Sequence, residues 1–214
     1  MGKHNDNALG NVVCVHGLWM PGLEMTLLRH RLQSDHGFRV AQFSYKSVTG
    51  RLERSVDELR QFIDDNVNGR AQIVAHSLGG VMSLHMLKRY PDAPVDRVVC
   101  LGSPLVDSGP ARKFLQFNFG KAIIGDTLIE GVLEKPLGEW TGEQPVGVIA
   151  GTLPFGGARL IMNLEEPNDG VVSAVETKLP GISDYIELPV THAGLLLSSL
   201  VAERSADFLR DGRF

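Results

Sequence analysis

The segment Ile73-Val74-Ala75-His76-Ser77-Leu78-Gly79-Gly80 constrains this chain more than any other. A mostly apolar run from Ile73 to His76 meets a serine, two glycines follow, and Val81, Met82, Leu84, Met86 and Leu87 continue at helical spacing. The pattern predicts a buried strand, a sharp turn and a buried helix, with Ser77 at the tip of the turn. Ala75 and Gly79, two residues to either side, are small enough to let the strand and helix backbones approach each other. A serine on such a turn is lifted clear of the sheet; this is the nucleophile elbow, Gly-x-Ser-x-Gly, here with alanine in its first position. An ordinary Ser-Gly turn produces the same short pattern, so the rest of the chain has to decide between the two.

Asn11–Val15 is short, β-branched and almost wholly apolar, as a strand buried on both faces should be. The loop His16–Gly22 follows, then Leu23, Leu27, Leu28 and Leu32 at helical spacing with Gly37 as a stop. Phe38 to Tyr45 reads as a second strand, and Leu52, Val56, Leu59, Phe62 and Ile63 mark an amphipathic helix closed by Asn68-Gly69. After the elbow helix, further strands are expected at Val95–Leu101, Val146–Ala150 and Tyr185–Leu188. A final helix from near Ala193 should present Leu197, Leu200, Val201 and Phe208 on one face. Alternation of this kind gives a parallel sheet covered on both faces. The expected fold is a three-layer α/β/α sandwich, a single domain over residues 1–214 with a mainly parallel sheet of six strands. With 214 residues, of which 43% are hydrophobic, the chain has the size and apolar content for one large core.

In such sheets ligands bind beyond the carboxyl ends of the strands. The loops starting at His16, Tyr45, His76, Gly102, Gly151 and Pro189 therefore share one edge, and Ser77 lies on it. A serine hydroxyl needs a general base within hydrogen-bond reach and a third group to orient that base. Of seven histidines, His4 is in a polar tail, His30 and His36 belong to a surface helix and its end, and His85 is inside the elbow helix. His76 adjoins Ser77 on the chain, so its side chain is expected to point away from the serine. His192 follows the last strand and so reaches the edge. Asp169, in the turn Asn168-Asp169-Gly170, is the preferred acid, since Ser77, Asp169 and His192 stand in the order found in Ser…Asp…His hydrolases. Asp107 and Asp126 are the rivals. Backbone N–H groups must also face the developing oxyanion. Leu78, after the serine, supplies one; Leu18 is suited to the other, because Gly17 permits a tight turn after His16.

The formal charge of −4 and the lack of a basic stripe argue against nucleic acid as a partner. Residues 1–10 are polar and lack the apolar core of a secretory signal, and the apolar stretch Ala193–Ala202 is too short to span a bilayer. Transient contact with a lipid surface is compatible with that reading, and oligomeric state is not legible. Cys14 and Cys100, both in apolar strands, read as buried reduced thiols, so a cytoplasmic location is expected. No Cys/His spacing indicates a metal, and no cofactor is expected.

Val-His-Gly-Leu at 15–18, Ala-His-Ser-Leu-Gly-Gly at 75–80, Leu-Gly-Ser-Pro at 101–104, Asn-Asp-Gly-Val-Val at 168–172 and Thr-His-Ala-Gly-Leu at 191–195 span nearly the whole chain. In this order they resemble the α/β-hydrolase superfamily, most closely small lipases and esterases and the lipase-like GPI-inositol-deacylase group. The resemblance implies Ser77 as nucleophile, His192 as base and Asp169 as acid, with the Leu18 and Leu78 amides as oxyanion hole and His16, Gly17 and Gly79 in supporting loops. It also implies cleavage of a carboxylic ester, in a small molecule or a lipid, through an acyl-enzyme. Leu105 stands where many lipases carry a histidine, and the two leading antiparallel strands of larger relatives are absent, so the substrate class stays open. An acyltransferase or thioesterase would use the same triad, and a non-catalytic binding module is the distant alternative. Between Gly102 and Pro145, residues such as Phe114, Leu115, Phe117, Phe119, Ile123, Ile124, Leu128, Ile129, Val132, Leu133 and Trp140 fit equally well a small cap at 105–144 or packing on the sheet. Trp19 and Met20 likewise suit either a pocket wall or the core.

Overall fold

The computed structural model describes residues 9–116, 125–155 and 164–214. Six strands, β1 (Asn11–Val15), β2 (Arg39–Phe43), β3 (Ala71–His76), β4 (Val95–Leu101), β5 (Val146–Gly151) and β6 (Asp184–Leu188), form one sheet in the order β2-β1-β3-β4-β5-β6. Every pairing is parallel. The helices are α1 (Thr26–Ser34), α2 (Leu52–Asn66), α3 (Leu78–Arg89), α4 (Gly109–Phe114), α5 (Ala174–Thr177), α6 (Gly194–Leu197) and α7 (Ser199–Asp211). A 3₁₀ turn, Leu23–Met25, leads into α1, and a π-helical turn covers Ile129–Glu134.

From β1 the chain steps outward to β2, then returns past β1 to β3. Parallel crossovers are right-handed, so two steps in opposite directions put their helices on opposite faces. Accordingly, α2 and α3 pack with Val13, Ile73, Ala75, Val98 and Val148 on one face. On the other, α1, α6 and α7 pack with Val12, Cys14, Val74, Val99 and Ile149. All six residues of β3 are buried, which is why its sequence shows no polar alternation. Each fully buried Leu, Met or Phe in these two layers contributes about 1.5–3 kcal/mol. Cys14 and Cys100 are free and sit in opposite layers, and burial pushes each thiol up to about 12.

Three features depart from the periodicity. The expected final helix is two, because Ser198 is extended and caps α7 by accepting the Val201 N–H at 3.4 Å. That break turns Leu197 and Leu200 outward, while Val201 and Phe208 remain buried. In α1, Leu28 and Leu32 face the core while Leu27, like Leu23 in the preceding 3₁₀ turn, faces solvent. Between β4 and β5, Leu128, Ile129, Val132 and Trp140 join the α2–α3 core, and the Trp140 indole donates to the Gln144 carbonyl at 2.9 Å. The Ile129–Glu134 turn packs against α3 and the start of α2; Phe117, Phe119, Ile123 and Ile124 lie outside the described residues.

Candidate active site

The reversal of strand order falls between β1 and β3, the point in sheets of this kind beyond whose carboxyl ends ligands bind. Ser77 stands at that point. Its N–H still pairs with the Leu101 carbonyl of β4 at 2.9 Å, while its own carbonyl accepts the Gly80 N–H at 3.0 Å and closes the first turn of α3. Between those two bonds the backbone must reverse, and Ser77 takes φ 53° and ψ −124°. A non-glycine residue held in so sparse a region costs about 1–3 kcal/mol, which the surrounding structure must supply. Gly79 makes the reversal feasible: a Cβ there would stand 2.5 Å from the Val15 carbonyl oxygen and 2.6 Å from that of His16. Among the described non-glycine residues, Trp19 also has positive φ, 67°, and it lies on the same edge.

The loop after β1 is fixed from beneath. His16 is buried, and its Nε2 accepts the Tyr45 N–H at 3.1 Å, so its proton is on Nδ1, which donates to the Gly17 carbonyl at 2.8 Å. The Tyr45 ring stacks on it at 4.5 Å, and the phenol donates to the His16 carbonyl at 3.2 Å. Burial lowers the His16 pKa, which suits a neutral ring with both nitrogens engaged. This scaffold sets Gly17 beside the serine; a Cβ on Gly17 would stand 3.0 Å from Ser77 Cβ. The Leu18 and Leu78 N–H groups donate to no other described residue, Leu78 because it opens α3 and has no preceding turn. Unpaired backbone donors on the residues next to Gly17 and Ser77 are the kind of group an oxyanion site requires.

Asp169 and His192 come from the loops after β5 and β6. The Asp169 carboxylate is 1% exposed. Its Oδ1 accepts the Val171 and Val172 N–H groups at 2.9 and 2.8 Å, and its Oδ2 accepts His192 Nδ1–H at 2.7 Å. The two residues are also tied through the main chain, His192 N–H to the Asp169 carbonyl at 2.9 Å. With Nδ1 protonated, His192 keeps a free lone pair on Nε2. The Asn168 carboxamide oxygen shapes the turn by accepting the Gly170 N–H at 3.0 Å. The rival Asp107 instead pairs with Arg112 at 2.8 Å and takes the Ser108 N–H.

Thus Asp169 and His192 are joined directly, and Gly17, Leu18, Ser77 and Leu78 are gathered at the ends of β1 and β3. The Ser77 hydroxyl makes no hydrogen bond to another described residue; such contacts often tighten only when substrate arrives. Two residues that sequence reasoning passed over belong to the site. His76 is turned toward His192 and packs against its ring at a tilt of 46°, with centroids 4.5 Å apart. Gly102, φ +54°, is packed so closely that a Cβ would stand 3.0 Å from Asp169 Oδ2 and 3.2 Å from His192 Nδ1. The Leu-Gly-Ser-Pro turn after β4 was the signal for Gly102. Trp19 and Met20 are 60% and 37% exposed at this edge, so neither is core.

Comparison with known proteins agrees with this fold. Residues 12–206 match the model of the alpha/beta hydrolase family. A putative carbamate hydrolase, RutD, of Pantoea ananatis is 32% identical over 100 residues, a match covering 46% of this chain and 36% of that relative. Among solved structures, the mature Bacillus licheniformis lipase BlEst2 superposes with a TM-score of 0.70 at 17% identity over 91% of this chain and 89% of its own. A metagenomic carboxyl esterase gives 0.66 at 16% identity over 87% and 65%. A pyrethroid hydrolase from Sphingobium faniae gives 0.62 at 16% over 94% and 98%. At these identities the superpositions speak for the fold alone, but the family match spans nearly the entire sequence: the chain belongs to the alpha/beta hydrolase family.

Proposed function

We propose that this hydrolase cleaves carboxylic esters, with Ser77 as nucleophile, His192 as general base, Asp169 as the acid that orients it, and the Leu18 and Leu78 amides as oxyanion hole. The observation that carries the reading is the buried Asp169–His192 bond of 2.7 Å delivered to the edge where Ser77 sits on a strained strand-to-helix turn. Asp169, already saturated by two amides, can take only the Nδ1 proton, so His192 presents Nε2 as a base. Ser77 attacks the carbonyl as its proton passes to His192, the oxyanion is received by the two orphan N–H groups, and the proton is handed on to the leaving alcohol. Water activated by His192 then releases the acid and restores the serine.

No metal-ligating cluster of three or more His, Cys, Asp or Glu occurs among the described residues, and the proposed steps use none. A small acyl or lipid ester is the substrate class favoured by the exposed apolar residues at the edge, Trp19, Met20, Leu153 and Phe155. A carbamate is the second reading, favoured by the partial match to the putative carbamate hydrolase, and it would use the same acyl chemistry. A fluorophosphonate should label Ser77, and Ser77→Ala should lose about 10⁶-fold in kcat on the best substrate of a panel of p-nitrophenyl esters of rising chain length and aryl carbamates. Undiminished turnover by Ser77→Ala would sink the mechanism.

A further inference from the structure

We propose that His76 is a positioning residue for His192: a neutral spacer, with its proton on Nε2, that fixes where the base stands. The inference rests on the roles proposed above for Ser77 and His192. As the last residue of β3, His76 alternates to the sheet face opposite Ala75, away from the elbow helix. Adjacency to Ser77 suggests a side chain with no part in the site, yet this direction carries the ring beneath the loop after β6. There it lies at 46° to the His192 ring, with centroids 4.5 Å apart, and its Nε2 is 3.2 Å from the His192 carbonyl oxygen. A carbonyl only accepts, so Nε2 carries the proton.

The remaining nitrogen, Nδ1, is buried without a hydrogen-bond partner. It faces the turn after β1, where a Cβ on Gly17 would stand 3.3 Å away. The His76 ring is therefore wedged between the loop that carries the candidate oxyanion donor and the loop that carries the base. It touches both.

Three hydrogen bonds among the described residues hold His192. Asp169 takes its backbone N–H at 2.9 Å and its ring Nδ1–H at 2.7 Å, both on the acid side. The third hold is the His76 bond to its carbonyl, on the nucleophile side. Without it, His192 is anchored to Asp169 alone, and its ring can swing about that anchor away from Ser77. Reacting groups tolerate little of this, since a shift of about 1 Å can cost roughly 10²-fold in rate.

The two adjoining rings have opposite proton assignments, and that separates their roles. His192 is protonated on Nδ1 and offers Nε2; His76 is protonated on Nε2 and has Nδ1 sealed inside. Charging His76 would place a second N–H where no acceptor exists, beside the ring that becomes positive in the reaction. The titratable groups facing it are His192 with its partner Asp169, and His16, which is neutral with both nitrogens used. Burial, and then His192, hold His76 well below the usual histidine range. The proton released by serine thus has one destination.

Two substitutions separate the hydrogen bond from the volume. His76→Phe fills the space without a donor; His76→Gln sets an amide nitrogen near the place of Nε2. With p-nitrophenyl acetate, His76→Phe should lower kcat about 10²-fold with KM changed less than about threefold, and its fluorophosphonate labelling should slow in parallel. His76→Gln should recover at least about tenfold of that loss. An active wild type with an equally active His76→Phe overturns the inference and leaves the ester-hydrolase reading intact; a wild type that neither reagent touches overturns both. Should His76→Phe fail to fold, ¹⁵N NMR of the wild type decides: His76 should stay protonated on Nε2 alone from about pH 6 to about pH 8. A ring that carries its proton on Nδ1, or titrates in that window, overturns the proposal.

Discussion

On the β1–β3 side of the edge the candidate groups are placed chiefly by main chain, whereas on the β5–β6 side they are placed by side chains. Ser77 is set by two backbone bonds and by the approach that Gly79 permits, and the donors at Leu18 and Leu78 are backbone amides. The acid and base depend on Asp169 gripping two amides and an imidazole, Asn168 shaping the turn, and Glu176 tying the segment together. Glu176 accepts the Ser173 N–H within its own capping box and the Gly109 N–H at the start of α4, so it links the acid loop to the chain after β4. Main-chain placement resists most substitutions except at glycine. Side-chain placement fails at any one residue in the chain of contacts.

Among substitutions that spare the serine itself, the largest effect should come from the side-chain half. Asp169→Asn conserves shape, but its carboxamide can present N–H where Oδ2 accepted, forcing His192 toward the wrong tautomer. A loss of about 10⁴-fold in kcat is expected, read by steady-state kinetics at neutral pH with thermal stability checked in parallel. A smaller loss would mean that the backbone tie between the two residues suffices to orient the ring. Next comes the junction of the halves, Gly102. Alanine there would have a Cβ 2.6 Å from Leu195 Cδ1 as well as against the acid–base pair, at a positive φ. Activity should fall about 10²-fold and stability by about 1–3 kcal/mol. For the main-chain half, Gly79→Ala is the counterpart: its Cβ meets the carbonyl oxygens of Val15 and His16, so a stability loss of at least about 1–3 kcal/mol is expected in urea titrations. If Gly79→Ala instead removed activity with stability intact, the contrast between the halves would be wrong.

The same contrast explains what could be read from the sequence. Buried strands show themselves as local apolar runs, and parallel pairing puts the loops after them on one edge, so the six strands and the edge position of Ser77 were legible. Gly17 and Gly79 were legible too, because a backbone constraint leaves its mark in the residues that make it. The two-part C-terminal helix was not, since Leu197 and Leu200 keep the spacing that a single helix would show, and the Ser198 cap overrides it. Nor was the packing between β4 and β5, where Trp140 reads as well for a cap as for the core until the Gln144 carbonyl meets its indole. His76 was the least legible of all. Its neighbour on the chain is Ser77, but its neighbour in space is 116 residues away, and no local pattern encodes that distance.

The smallest effect to look for is one of sign. On the main-chain half, His16 and His76 are buried with pKa values below the ordinary 6.5. A group depressed on folding contributes stability above its unfolded pKa that is lost as pH falls. On the side-chain half, burial raises Glu176 above its ordinary 4.5. Its contribution runs the other way, present in full below 4.5 and lost as pH rises through the raised value. Urea midpoints should therefore fall on acidification below 6.5, with Glu176 partly opposing the trend. His76→Gln should flatten the decline, and Glu176→Gln should steepen it. Both variants shifting the curve the same way would show that acid stability is not divided between the two halves.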